Sequence, residues 1–190
     1  IVLGGLSYLQ RIKNEKECDF YYYMGKKIGE ISADIRLENP WKYVVTSNLL
    51  ISADIIDNTP IDTSFIGYGF EDTEWGIRLM KNFQILHIDN TVSHLGLENK
   101  SNLVKKIIES SENYNRLVDK HDKFLTNWAL RNYVDRLASF NINILSFLLQ
   151  VSIHCFNLSR FNKLSLILFQ VIKIVSFAKN KKDKNNIGEK

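Results

Sequence analysis

Residues 123–178 constrain the fold of this chain more than any other stretch. They contain no glycine or proline and are rich in leucine, isoleucine and phenylalanine. Because glycine and proline are the strongest helix breakers, their absence favours helix throughout. Two apolar runs, residues 142–156 and 164–178, are shorter than the roughly twenty residues a membrane-spanning helix needs. We predict two or three helices, forming either a packed hairpin or a helix pair lying on a membrane surface.

The preceding residues show a different pattern. Short apolar runs alternate with polar, helix-like segments over residues 1–122, which predicts an α/β domain. The composition, 45% hydrophobic and 24% charged, is that of a folded protein. The expected strands cover residues 1–10, 20–29, 41–52 and 83–88, with a polar turn at 11–19, and the expected helices cover 52–58, 73–82 and 101–120.

The positive charge is concentrated at the C-terminus. The net charge is +4, and residues 179–190 contribute +3 of it. We expect these residues to form a basic, disordered tail, with weak contact to anionic lipid as the functional alternative. The remaining residues are close to neutral, which argues against nucleic-acid binding. Cys18 and Cys155 show neither metal-ligand spacing nor a disulfide framework, so a reducing compartment fits.

The segment "GYGFEDTEWG", residues 67–76, carries the strongest functional signal. Gly67 and Gly69 permit backbone angles that other residues avoid. One interpretation is structural: Asp72 caps the helix that follows. The other is chemical: a carboxylate kept ionised at a helix N-terminus serves as a general base towards a hydroxyl. Tyr68 offers an apolar face that suits a sugar ring, so the chemical interpretation favours a carbohydrate substrate.

The sequence also carries a family resemblance. "FIGYGFEDTEWGIRL", residues 65–79, followed by "ILHIDNTVSHLGLE", residues 85–98, resembles the C-terminal half of family 2 type glycosyltransferases of the GT-A fold. It is similar, too, to the C-terminal region of the galactosyltransferases. The resemblance implies that residues 1–122 are the C-terminal part of a Rossmann-like mixed-sheet domain, followed by a helical extension at 123–178.

The resemblance implies a role for each residue of the loop and helix start. Asp72 becomes the catalytic base and Glu71 an acceptor-binding partner. Tyr68, between Gly67 and Gly69, becomes the aromatic that contacts the acceptor or donor sugar.

Further positions follow from the same resemblance. Gly4 and Gly5 would lie beside the bound sugar, and Ser47 and Asn48 would line the acceptor pocket. His94 matches the place where many of these enzymes supply a histidine to Mn²⁺ or Mg²⁺, although a histidine after a strand is also commonly structural.

One part of the family pattern is missing. These enzymes hold the metal on the donor diphosphate with an Asp-x-Asp motif, and none occurs at the matching place here. We therefore interpret the chain as the acceptor half of a longer enzyme. The implied reaction is an inverting transfer from a nucleotide-sugar donor to a saccharide or glycolipid acceptor, in bacterial polysaccharide synthesis. The expected location is cytoplasmic, including the inner face of the membrane, with peripheral contact through the helical extension and Lys-rich tail.

A different class of function stays open at this point. The chain is alternatively a non-catalytic carbohydrate-binding or scaffold module with a degenerate transferase site. The residues of the 65–98 block are compatible with both hypotheses.

Overall fold

The computed structural model describes residues 1–8 and 16–188, so the predicted polar turn lies largely outside the described residues. Two compact units form. Unit 1 comprises Ile1–Ile66 and Phe70–Asn99, and unit 2 comprises Gly67–Gly69 and Lys100–Lys190. The division falls earlier in the chain than residue 122.

Unit 1 combines short strands with short helices. Its strands are β1 (Val2–Leu3), β2 (Leu6–Ser7), β3 (Leu49–Leu50), β4 (Leu86–His87) and β5 (Val92–Ser93). Its α-helices are α1 (Asp19–Met24), α2 (Ala33–Glu38), α3 (Ala53–Asn58) and α4 (Glu71–Asn82), with a π-helical turn at Gly25–Gly29 and 3-10 turns at Lys16–Cys18, Pro40–Tyr43 and Thr46–Asn48.

The strands form two small sheets. The first has the order β3-β1-β4, with β1 antiparallel to β3 (Val2 opposite Leu50) and parallel to β4 (Val2 opposite Leu86). The second pairs β2 with β5 in parallel. The predicted combination of helices with a mixed sheet is therefore confirmed at this coarse level. Helices make up 66% of the described residues, and every strand is only two residues long.

Two predicted strands are wrong. Residues 20–29 form most of α1 and the π-helical turn. Their aromatic residues favour a strand only where the surrounding packing suits one, because β propensity depends on packing. Gly25 explains the packing: a Cβ there would lie 2.3 Å from the Tyr8 ring. Residues 41–52 form two 3-10 turns, and only Leu49–Leu50 remain as a strand.

The core of unit 1 gathers around one face of α4. The buried cluster consists of Leu3, Val44, Trp75, Leu79 and Ile85. The helix predicted for residues 73–82 is confirmed, and its apolar spacing places Trp75 and Leu79 on the buried side. This packing fixes the position of the first turn of α4, which contains Glu71 and Asp72.

Unit 2 is helical. It contains α5 (Lys100–Lys120), α6 (Ala129–Ala138), α7 (Ile142–Leu158) and α8 (Asn162–Gly188). Helices α7 and α8 form the predicted hairpin, with the Phe156 and Phe169 ring centroids 5.8 Å apart. Among the described helices, none combines the length and apolar character needed to cross a bilayer.

The prediction of a disordered tail is also wrong for residues 179–188, which continue α8 as helix. Contacts within unit 2 hold this segment. Lys181 Nζ lies 2.7 Å from Asp135 Oδ1, and Lys184 pairs with Asp119. Asn115 Nδ2 also donates to Asn180 Oδ1 at 2.6 Å. Ion pairs on neighbouring helices thus stabilise a lysine-rich stretch that would otherwise fray.

Lys100 fixes the connection between α7 and α8. Its ammonium donates to the carbonyl oxygens of Phe156 (2.9 Å) and Ser159 (2.7 Å) and to Ser165 Oγ (2.9 Å). Burial lowers the Lys100 pKa. Because the C-terminal carbonyls of α7 have no partners within the helix, this cation takes the place of a C-cap.

We expect Lys100→Met to lower the free energy of unfolding by about 2 kcal/mol, because buried acceptors lose their donor. Chemical denaturation measures this. Lys105→Met is the matched control on the same helix, since Lys105 is 75% exposed and 3.8 Å from Glu109. Its cost is expected to be below about 0.5 kcal/mol. Equal stability of both variants would contradict a structural role for Lys100.

Candidate functional site

The Gly4–Gly5 pair forms a corner between β1 and β2. The Gly4 N–H donates to Asn48 O at 3.2 Å. A Cβ on Gly4 would lie 2.0 Å from the Asn90 carbonyl oxygen, so no side chain fits there. Gly5 has a φ of +80°, which favours glycine. The structure therefore brings the predicted residues Gly4, Gly5 and Asn48 together.

Asn48 ties this corner to the loop before β5. Its Nδ2 donates to both Gly5 O and Asn90 O at 2.8 Å. Ser47 precedes it in the same 3-10 turn and is exposed. The polar break in the strand predicted for residues 41–52 corresponds to this turn.

Arg36 supports the corner from the inside and was missed by the sequence reading. Its side chain is only 3% exposed. The guanidinium donates to the carbonyls of Gly4 (3.4 Å) and Ile88 (2.8 Å), to that of Ile31, and to His87 Nδ1 at 3.2 Å. Burial lowers the pKa of His87, which leaves that imidazole an acceptor for the arginine. A buried arginine cannot be recognised from a single sequence, because most arginines are exposed.

The start of α4 is built differently from a side-chain-capped helix. Phe70 precedes the helix with a φ of +72°, and no side chain caps it. It is the only non-glycine with positive φ among the described residues. Such a conformation is costly and is typical of functional sites. The alternative in which Asp72 is simply the N-cap is therefore wrong, since Asp72 is the second residue of the helix.

Asp72 instead reaches the turn that contains Ser47. Its carboxylate accepts a hydrogen bond from the backbone N–H of Thr46. Burial, helped by the neighbouring charge of Glu71, raises the pKa of Asp72 to about 6, and the Thr46 hydrogen bond opposes this only in part. The sequence predicted a carboxylate kept ionised at neutral pH by the helix N-terminus. Burial outweighs that effect, so the carboxylate is ionised at neutral pH yet able to take up a proton.

Glu71 presents an unused acceptor. Its Oε2 is buried and has no hydrogen-bond partner among the described residues. A buried carboxylate oxygen is normally hydrogen-bonded, so an unpaired one is costly. A ligand hydroxyl is the kind of donor that would satisfy it.

The loop Gly67–Gly69 groups with unit 2. Both glycines have positive φ, +82° and +91°, as their spacing predicted. Lys106 Nζ lies 4.7 Å from the centroid of the Tyr68 ring, and Asn113 Nδ2 donates to Tyr68 O at 3.5 Å. Tyr68 is 45% exposed, so part of its ring is open to solvent.

His94 packs against two aromatic rings of unit 1. The imidazole stacks on Tyr8 at 5.5 Å and on Tyr21 at 5.7 Å between centroids. Its Nδ1 is buried and has no hydrogen-bond partner among the residues that the structure describes. No group of three histidine, cysteine, aspartate or glutamate side chains able to hold a metal occurs within the described residues. The described donor set alone therefore does not fit a Mn²⁺ or Mg²⁺ site.

Comparison of the chain with protein-family models, with curated proteins and with solved structures gives no match. Family and function therefore rest on the residues themselves.

The raised pKa of Asp72 predicts a pH dependence of stability. The folded state binds the Asp72 proton more tightly than the unfolded state, so ionisation costs folding free energy as pH rises from about 4 to about 6. The cost is about 1 kcal/mol, because partial solvent exposure reduces it. The denaturant midpoint is measured at pH 4 and at pH 7 for the wild type and for Asp72→Asn. In Asp72→Asn the loss of stability between these two pH values should be smaller by the contribution of Asp72. A variant profile parallel to the wild type would contradict the shift.

Proposed function

We propose that this chain carries the acceptor side of a glycosyltransferase site, in which Asp72 is the general base. The observation that carries the proposal is the Asp72 carboxyl itself. It is partly buried, beside Glu71, and has a pKa of about 6. A general base works best when its pKa lies near the operating pH, because it is then ionised and still able to take up a proton.

The neighbouring groups support a hydroxyl as the substrate. Thr46, whose N–H binds Asp72, is followed directly by Ser47 and Asn48. The unpaired Glu71 Oε2 accepts hydrogen bonds, as a sugar hydroxyl requires. In a pair of acids with different surroundings, one carboxyl can serve as the base and the other can bind the substrate. Here Asp72 is the base and Glu71 is the binding group. The reaction class, glycosyl transfer, is proposed from the resemblance of residues 65–98 to family 2 type glycosyltransferases.

The proposed reaction is a single displacement at the anomeric carbon of a nucleotide-sugar donor. The acceptor oxygen forms a bond to this carbon as the bond to the diphosphate oxygen breaks. The acceptor hydroxyl proton passes to Asp72, and the electron pair of the broken bond leaves with the diphosphate. One displacement inverts the anomeric centre. In the GT-A family a divalent metal assists the leaving diphosphate; no step here is assigned to a metal.

Transfer by the natural protein, assayed by mass spectrometry with a panel of nucleotide sugars and saccharide acceptors, tests the proposal. Asp72→Asn should lower kcat by about 100-fold or more, the range of general-base effects, and change the acceptor KM little. Glu71→Gln should mainly raise the acceptor KM. The wild-type kcat/KM should increase with pH through an apparent pKa of about 6.

Asp57→Asn is the matched control, because Asp57 is an exposed acid in α3 of the same unit. It should retain wild-type kinetics. Transfer that survives in Asp72→Asn would contradict the proposed base. Saccharide binding that is equal in wild type and Asp72→Asn, without turnover in either, would identify a carbohydrate-binding module instead.

A further inference from the structure

Large apolar side chains surround the turn between α7 and α8. Helix α7 ends at Leu158 and α8 begins at Asn162. Leu158 is 67% exposed, Phe161 76% and Leu164 46%. Single exposed apolar residues are ordinary, but three around one turn form a patch. We call residues 157–164 the hairpin turn.

Exposed apolar residues continue along both helices away from the hairpin turn. They recur at spacings of three, four and seven residues, which places them on one stripe of each helix. They are Ile144, Phe147, Leu148 and Val151 on α7, and Ile167 and Val171 on α8. Helix α7 contains no aspartate, glutamate, lysine or arginine, so none of these side chains lies beside its exposed apolar residues on the same helix.

All of the charges near the hairpin turn in the sequence are positive. From Arg136 to Lys182 the chain has seven lysines and arginines and no aspartate or glutamate. Arg160 and Lys163 lie within the hairpin turn and are exposed. Neither forms an ion pair with a described residue. In contrast, Lys181 and Lys184 further along α8 are paired with acids.

Lys100 holds the hairpin turn in place. It binds the carbonyls of Phe156 and Ser159 on one side and Ser165 Oγ on the other. Its ammonium also lies 4.7 Å from the centroid of the Phe156 ring. Because these hydrogen bonds hold both sides of the hairpin turn, its exposed side chains lose little further conformational freedom on binding.

We propose that the hairpin turn docks on an anionic lipid bilayer. Leu158, Phe161 and Leu164 enter the boundary between headgroups and acyl chains, while Arg160 and Lys163 contact the anionic headgroups. Charge complementarity selects this occupant: a second copy of the turn would bring like charges together. The contact therefore lies at the hairpin turn rather than at the lysine-rich end of α8. This inference does not depend on the proposed function, since binding requires no turnover.

Co-sedimentation with vesicles tests the docking. One set contains phosphatidylcholine alone, and the other phosphatidylcholine and phosphatidylglycerol in equal parts. The full chain should bind the second set more tightly, and binding should weaken as salt is added. Arg160→Gln with Lys163→Gln should weaken binding to the anionic vesicles about thirtyfold, because each cation contributes about a factor of five. Leu158→Glu with Phe161→Glu should weaken it more than tenfold.

Ile66→Glu is the matched control, because Ile66 is 80% exposed and lies outside the hairpin turn. It should bind vesicles like the wild type. Circular dichroism and thermal unfolding establish that each variant is folded. If the wild type fails to bind anionic vesicles, or all folded variants bind equally, the proposal is overturned. Sedimentation velocity without lipid tests self-association. If the wild type does not bind vesicles but forms a dimer, and Leu158→Glu with Phe161→Glu dissociates that dimer, the hairpin turn is a self-association surface and the proposal is overturned.

A second measurement locates the contact. Cys155 is exposed and unpaired by disulfide, three residues before Leu158, whereas Cys18 is buried. An environment-sensitive fluorophore attached to Cys155 should shift to the blue when anionic vesicles are added. Vesicle binding without such a shift would place the contact elsewhere and overturn the proposal.

Discussion

The buried guanidinium of Arg36 is the interaction on which the organisation of unit 1 depends. It binds carbonyls from three separate segments of the chain, at Gly4, Ile31 and Ile88. With Asn48 on the other side, it holds a corner where β1 and β4 end and β2 and β5 begin. Each buried carbonyl that loses its donor costs about 1–3 kcal/mol. Two small sheets of two-residue strands are thereby joined at one fixed point.

This corner also determines where the acids of α4 lie. Asn48 binds the corner, and Thr46, two residues earlier, binds the Asp72 carboxylate. Residues far apart in sequence, from the first strand to α4, are thus linked through one 3-10 turn. The partial burial that raises the Asp72 pKa is a consequence of this packing. Chemistry at Asp72 therefore depends on a structural network that does not touch substrate.

The sequence predicted the helices better than the strands. Helices α4 and α5 have strong apolar periodicity and lie close to their predicted residues. Helices α7 and α8 cover the two apolar runs without glycine or proline, and α8 continues beyond the second run. Residues 20–29 were predicted as a strand because aromatics favour β structure in isolation. Close approach of Gly25 to Tyr8 favours helix there, and this contact spans seventeen residues of sequence. The helical end of α8 depends on ion pairs with Asp119 and Asp135, which local composition cannot reveal.

The candidate site was predictable in its residues and not in its energetics. Asp72 could be selected because an acid pair follows a glycine-rich loop at the start of a helix, whereas Gly4, Gly5 and Asn48 were implied by the family resemblance. Arg36 and the Thr46 N–H could not, since one is an atypical buried charge and the other is a backbone group. The sequence predicted an Asp72 carboxylate that is ionised at neutral pH, but not its raised pKa, because burial cannot be inferred from a helix N-terminus alone.

The most direct measurement is an NMR titration of the Asp72 side-chain carboxyl carbon in the full chain, assigned by comparison with Asp72→Asn. An apparent pKa of about 6, which falls when Glu71 is replaced by glutamine, is the expected result. A pKa at or below about 4, the value for an unperturbed aspartate, would contradict the assignment of Asp72 as a base poised for proton transfer.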